Sequence, residues 1–125
     1  MDSYLLAPWS DDLITVNSGA GGDISVPVTV PTGQIWKLIH AVASHTDATG
    51  SRLIQFLAGA LTLPGEGTVA TGVRVWLPAG SYILEPLILS PGGTVFKAVV
   101  YSVAAAKDCN LRVIVQKFYG VYPLL

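Results

Sequence analysis

The chain of 125 residues is long enough to bury one core and too short for two comfortable domains. Apolar residues make up 51 % of it and charged residues 12 %, about half the roughly 25 % usual for a soluble domain, with a formal net charge of −1. Scattered single basic residues give no electrostatic reason to bind nucleic acid, and no stretch reaches the roughly 18 apolar residues of a membrane-spanning helix, so neither partner is expected.

Residues 1–12, with "YLLAPW" at 4–9, read as an apolar N-terminal arm whose Tyr4, Leu5, Leu6 and Trp9 are candidates for packing on a neighbour. No basic segment of a signal peptide precedes them, which agrees with synthesis in a cytoplasm. The body of the domain is expected over residues 13–118. "LITVN" at 13–17 reads as its first strand, and "SGAGGDI" at 18–24 as a flexible connection, because no helix follows the glycines to make a phosphate cradle.

Strict alternation in "ISVPVTV" puts Ile24, Val26, Val28 and Val30 on one face and Ser25, Pro27 and Thr29 on the other. Pro27 cannot donate to a ladder, so this strand lies at a sheet edge or its vacant nitrogen faces out. "PTGQIW" follows at 31–36, with near-copies "PAGSYI" at 78–83 and "PGGTVF" at 91–96. Proline at the second position of a β-turn and glycine at the fourth suit a type I turn with a glycine bulge, each copy launching a strand. The unequal spacing of the copies argues against a true repeat.

The strand launched by the first copy, "IWKLIHAVASHT", is apolar on both faces, with Trp36, Leu38, His40 and Val42 opposing Ile35, Ile39, Ala41 and Ala43. Strands of that kind are covered on both sides, and a chain with one core would take its second cover from another subunit. Ile35 and Ile39 are therefore candidate interface residues. The histidines of this strand, His40 and His45, are five apart and so fall on opposite faces unless a bulge intervenes. His45 and Asp47 form an H-x-D pair at the strand end, which reads as a solvated turn opened by Asp47 rather than a metal site.

"RLIQFLA" at 52–58 is a further strand, and the Gly-rich region from Gly59 to Gly72 reads as a long loop. "VRVWL" alternates Val73, Val75 and Leu77 against Arg74 and Trp76, which puts Trp76 on an outer face and adds it to the candidate interface residues, the sugar-platform reading being the less favoured one. "SYILE" at 81–85 and "VFKAVVYSV" at 95–103 are strands, the second again apolar on both faces. Cys109 in "KDCN" lies in the loop before a last strand, "LRVIVQK", with Leu111, Val113 and Val115 inward. The single cysteine excludes an internal disulfide. Residues 119–125 close the chain as a C-terminal arm, and Phe118, Tyr119, Tyr122 and Leu124 join the candidate interface.

About eight short strands separated by Gly, Pro and Asp turns define an all-β protein: one antiparallel β-sandwich, jelly-roll-like. No residue pattern carries catalysis, a cofactor or a metal. Asp11, Asp12, Asp23, Asp47, Glu66, Glu85 and Asp108 read as turn and strand-end carboxylates. A cysteine nucleophile at Cys109 would need a histidine and an orienting group beside it.

In "VPTGQIWKLIHAVASH", "LPAGSYILEPLILSPGGTVFKAVVY" and "LRVIVQKFYGV" the chain resembles the small β-sandwich structural proteins of tailed-bacteriophage virions, of the capsid decoration or cement type. The resemblance implies a non-enzymatic homo-oligomer, a trimer or another ring, made in the host cytoplasm and seated in the virion on the major capsid protein or another virion protein. It assigns no functional residue. Similar segments occur in jelly-roll lectins, and the alternative expectation is a carbohydrate-binding module, or a tail or fibre component contacting host glycans, through Trp76 or aromatics near His45 and Asp47. A small hydrolase or isomerase using Cys109 or a carboxylate pair is the remaining and least favoured reading.

Overall fold

The computed structural model describes residues 9–77, 87–89 and 95–119. Among these are nine strands and no helix: β1 (Trp9–Asn17), β2 (Gly22–Thr29), β3 (Gln34–His45), β4 (Arg52–Ala58), β5 (Leu61–Val69), β6 (Val75–Leu77), β7 (Leu87–Leu89), β8 (Val95–Val103) and β9 (Asp108–Tyr119). They form two antiparallel sheets, as a β-sandwich requires. The first has the order β1-β9-β3-β6, with β7 also paired to β3, and the second the order β2-β8-β4-β5. Pairing is nested, β1 with β9, β2 with β8, β3 with β6 and β7, and β4 with β5, so the chain folds as one antiparallel ribbon whose two ends meet.

Period-2 patterning explains the core. Val26 and Val28 from β2, Ile54 and Phe56 from β4, Phe96, Ala98 and Val100 from β8, and Leu111, Val113 and Val115 from β9 all point between the sheets and are buried. Phe56 and Phe96 stack at 6.0 Å between ring centroids. Pro27 lies on β2, an edge strand, where its missing N–H costs no ladder bond.

Four expectations are corrected. The region 59–72 is largely strand: β5 pairs with β4, and the residues 64–66 bulge against the single residue Gln55 between the pairs Phe56 with Leu63 and Ile54 with Gly67. The turn of "PTGQIW" has Pro31 at its first position, since the Gln34 N–H reaches the Pro31 carbonyl at 3.2 Å. Gly33 is then third, where its φ of 86° meets the positive value a type II turn demands. The 18–21 connection is pinned rather than flexible: the Ser18 N–H donates to the Lys107 carbonyl at 2.7 Å, and the Ser18 hydroxyl donates to the Ala104 carbonyl at 2.6 Å and accepts the Lys107 N–H at 2.9 Å. Strand β1 begins at Trp9, inside the stretch expected as an arm. The other two proline-glycine turns and "SYILE" lie outside the described residues.

Strand β3 carries the most consequential irregularity. Leu38 pairs with Val115 and His40 with Ile114, so Ile39 is an extra residue in β3, a β-bulge. Trp36 and Leu38 point into the core before it, and Ala41, Ala43 and His45 after it. His40, Val42 and Ser44 are thereby turned outward, which splits the face expected to hold Trp36, Leu38, His40 and Val42 together. Val42 is nearly buried on the outer face without a second layer, because its cross-strand neighbours are the large side chains of Trp76 and Arg112.

Candidate functional site

The outer face of the first sheet divides into two halves. Toward the His45 end, three rows of paired residues cross the strands: Asp11, Ile114 and His40; Leu13, Arg112, Val42 and Trp76; and Thr15, Asn110 and Ser44. All of these except Thr15, together with Arg74 from the segment before β6, line a concavity of about 460 Å³. Trp76 is 50 % exposed and Leu13 62 %. The imidazole of His40 packs against the Trp76 indole at 4.6 Å, tilted by 50°.

The polar groups of the concavity are partly engaged. Arg112 Nε donates to Asp11 Oδ1 at 2.9 Å, an exposed pair that contributes little to stability. The Thr15 hydroxyl donates to Asn110 Oδ1 at 2.8 Å. His40 Nε2 is buried without a hydrogen-bond partner, and burial lowers the pKa of the ring, which favours its neutral form.

The other half of the face lies at the end where β1 begins and β9 ends. Ile35 pairs with Phe118, Gln34 with Tyr119, and Trp9 with Gln116. Ile35 is 43 % exposed, while Ile39 and Phe118 are half-buried. On the inner side of this end Trp36 closes the core, its indole N–H donating to Gln34 Oε1 at 2.8 Å and Lys117 Nζ lying 4.7 Å from its ring centroid. The geometry thus brings Ile35, Phe118 and the backbones of Trp9 and Tyr119 together and leaves Trp76 about 20 Å away, seven residues along β3 from Ile35. Tyr4, Leu5, Leu6, Tyr122 and Leu124 lie outside the described residues.

His45 and Asp47 are not at the surface. His40 and His45 do point to opposite faces, and His45 is buried between the sheets, its Nδ1 accepting the Asp47 N–H at 3.0 Å. Because a backbone N–H only donates, Nε2 carries the proton and donates to the Val69 carbonyl at 2.8 Å. Asp47 is fully buried as well. Hydrogen bonds from the Thr49 hydroxyl, from the Ala104 and Thr49 N–H groups and from Arg52 hold its carboxyl well below the usual range, against the opposing effect of burial. The expected solvated turn is a sealed clamp, and neither residue can reach a ligand. The loop context is the misleading signal; Thr49 and Arg52 shortly after Asp47 are the available hint.

Cys109 is in β9 rather than in the loop before it, and its side chain is in the core. Burial, with the nearby Asp108 and Asp47 carboxylates adding to it, pushes the thiol up to about 11, opposite to the shift that activates a nucleophile. Asp11 and Asp12 stand within β1 and Glu66 within β5, not at strand ends. Among the described residues no three His, Cys, Asp or Glu side chains come together to hold a metal ion.

The described residues thus define a two-sheet antiparallel β-sandwich with a polar and aromatic concavity on one half of an outer face and, on the other, the apolar Ile35, Ile39 and Phe118 beside the outward-facing Lys37 and Gln116. No protein-family model and no curated protein matches the chain.

Proposed function

We propose that this chain is a non-enzymatic structural subunit of a virion, of the capsid decoration or cement type, that assembles with copies of itself, most simply as a trimer, on the major capsid protein or another virion protein. The nested strand pairs support the finer reading of the sandwich as a jelly roll, an architecture that serves assembly in shells.

The observation that carries the reading is the exposed Ile35 beside Phe118 at the end of the sheet where β1 begins and β9 ends. A second copy covering this end would bury it together with the arms, and burial is the only attraction a chain with 12 % charged residues offers in quantity. Area alone does not set affinity, so the arms are assigned the anchoring role.

Sedimentation velocity on the intact chain tests this. The wild type is expected to run as a closed oligomer and Ile35→Glu, a surface change that leaves the core untouched, as a folded monomer. A wild type that stays monomeric at tens of micromolar overturns the assembly reading, and absence of the chain from purified particles overturns the virion one.

A further inference from the structure

We propose that the concavity lined by Trp76, Arg74 and Arg112 is a binding site for an acidic saccharide, a short chain containing a sugar carboxylate. Its layout matches the two-sided chemistry of a sugar ring. The middle row, Leu13, Arg112, Val42 and Trp76, ends at each side in an exposed apolar group and offers the half-exposed indole as a flat platform for the C–H face of a pyranose. The flanking rows add hydrogen-bonding groups for the ring's hydroxyls, Asp11 on one side and Asn110 and Ser44 on the other.

Two of these groups are poised by their neighbours. Asp11 holds the Arg112 guanidinium by Nε, leaving its terminal nitrogens to donate. The Thr15 hydroxyl occupies Asn110 Oδ1, which leaves the amide N–H groups to donate. His40 Nε2 is the side-chain nitrogen found buried and unsatisfied among the described residues, and its ring forms the wall beside Trp76.

Charge selects the class of sugar. Asp11 neutralises Arg112, while Arg74 makes no ion pair among the described residues and contributes a net positive charge at the rim. Three inter-strand steps of about 4.8 Å make the middle row about 14 Å long, the span of a short oligosaccharide. A lipid or an apolar peptide would bring nothing to the two polar rows. The apolar end at Ile35 and Phe118 lies away from this site, so assembly and saccharide binding use different surfaces.

Titration calorimetry with trigalacturonate, sialyllactose and neutral lactose, on the intact chain, tests the proposal. At least one acidic saccharide is expected to bind better than lactose, with Trp76→Ala and Arg74→Ala each weakening it about tenfold or more and Trp76→Phe retaining most of the affinity. Sedimentation should be the same for all three variants, which separates this site from the assembly surface. No binding of either acidic saccharide at millimolar concentration overturns the proposal, as do equal binding of lactose, unchanged affinity in Trp76→Ala and Arg74→Ala, or tighter binding of tetraglutamate than of the sugars.

Discussion

Asp47 and Ala104, 57 residues apart in the chain, are joined by a 2.8 Å hydrogen bond in which the Ala104 N–H donates to Asp47 Oδ2. The same oxygen accepts Arg52 Nε at 2.9 Å, and Oδ1 accepts the Thr49 N–H at 2.9 Å and the Thr49 hydroxyl at 2.6 Å. One buried carboxylate therefore fastens the β3–β4 turn to the β8–β9 turn, next to the His45 bond that ties the first sheet to Val69 in the second. Each of its lone pairs is used, so a buried charge that would otherwise be costly becomes a clamp.

This clamp should be visible in acid. The folded-state pKa of Asp47 is depressed, so its contribution is complete above the unfolded value near 4 and is lost as pH falls below it toward the folded value. Thermal melts from pH 7 to pH 2 should show the wild type losing stability below about pH 4, while Asp47→Asn starts lower, by at least about 5 °C, and falls less steeply. Parallel curves for the two proteins would remove Asp47 as the source.

Two glycines of the β1–β2 turn should behave unequally. A Cβ on Gly21 would lie 2.7 Å from the Val103 carbonyl oxygen and 3.2 Å from the Ala105 nitrogen, both backbone, at a φ of +94°. A Cβ on Gly19 meets nothing within 4 Å, at a φ of +57°. Gly19→Ala is therefore expected to cost about 1 kcal/mol, from its left-handed backbone alone, and Gly21→Ala about 3 kcal/mol or more. Denaturant unfolding of both variants measures the difference, and equal costs would mean that the close approach of this turn to β8 is absent.

Cys109 should be inert in the folded protein. With its thiol buried and its pKa pushed up to about 11, a disulfide reagent at pH 8 is expected to label it only after denaturant unfolds the chain. Rapid stoichiometric labelling of the native protein would contradict its place in the core and restore the nucleophile reading.

Strands flanked by glycine and other turn residues are legible in the sequence by their limits, even where both faces are apolar. For "RLIQFLA" and "VFKAVVYSV" the expected bounds, 52–58 and 95–103, coincide with β4 and β8. Strand β5 is not legible, since "LTLPGEGTV" puts Pro64, Gly65 and Gly67 into an edge strand whose bulge breaks the alternation. The burial of Asp47 is hidden for a different reason. Its partners Ala104 and Arg52 come from separate segments, and only the folded topology brings them to one oxygen. Alternation is enough to turn Trp76 outward, but the rows that surround it need the register of four strands.

The extra residue in β3 works as a one-step phase shift. Were Ile39 paired in an unbroken ladder, alternation from Trp36 would carry His40, Val42 and Ser44 inward and turn Ala41 and Ala43 to solvent. The outer wall would then be two methyl groups, and the imidazole of His40 would press into an interior already filled by Phe56 and Val113, both fully buried. His45 would swing out in exchange, leaving the Asp47 N–H and the Val69 carbonyl without the ring that now joins them. Excising Ile39 would straighten the strand and keep both faces, whereas giving it a place in the ladder would swap them. The strand is in effect two half-strands written in opposite phase, and the hinge between them lets one segment seal the interior throughout while still showing varied chemistry to the outside.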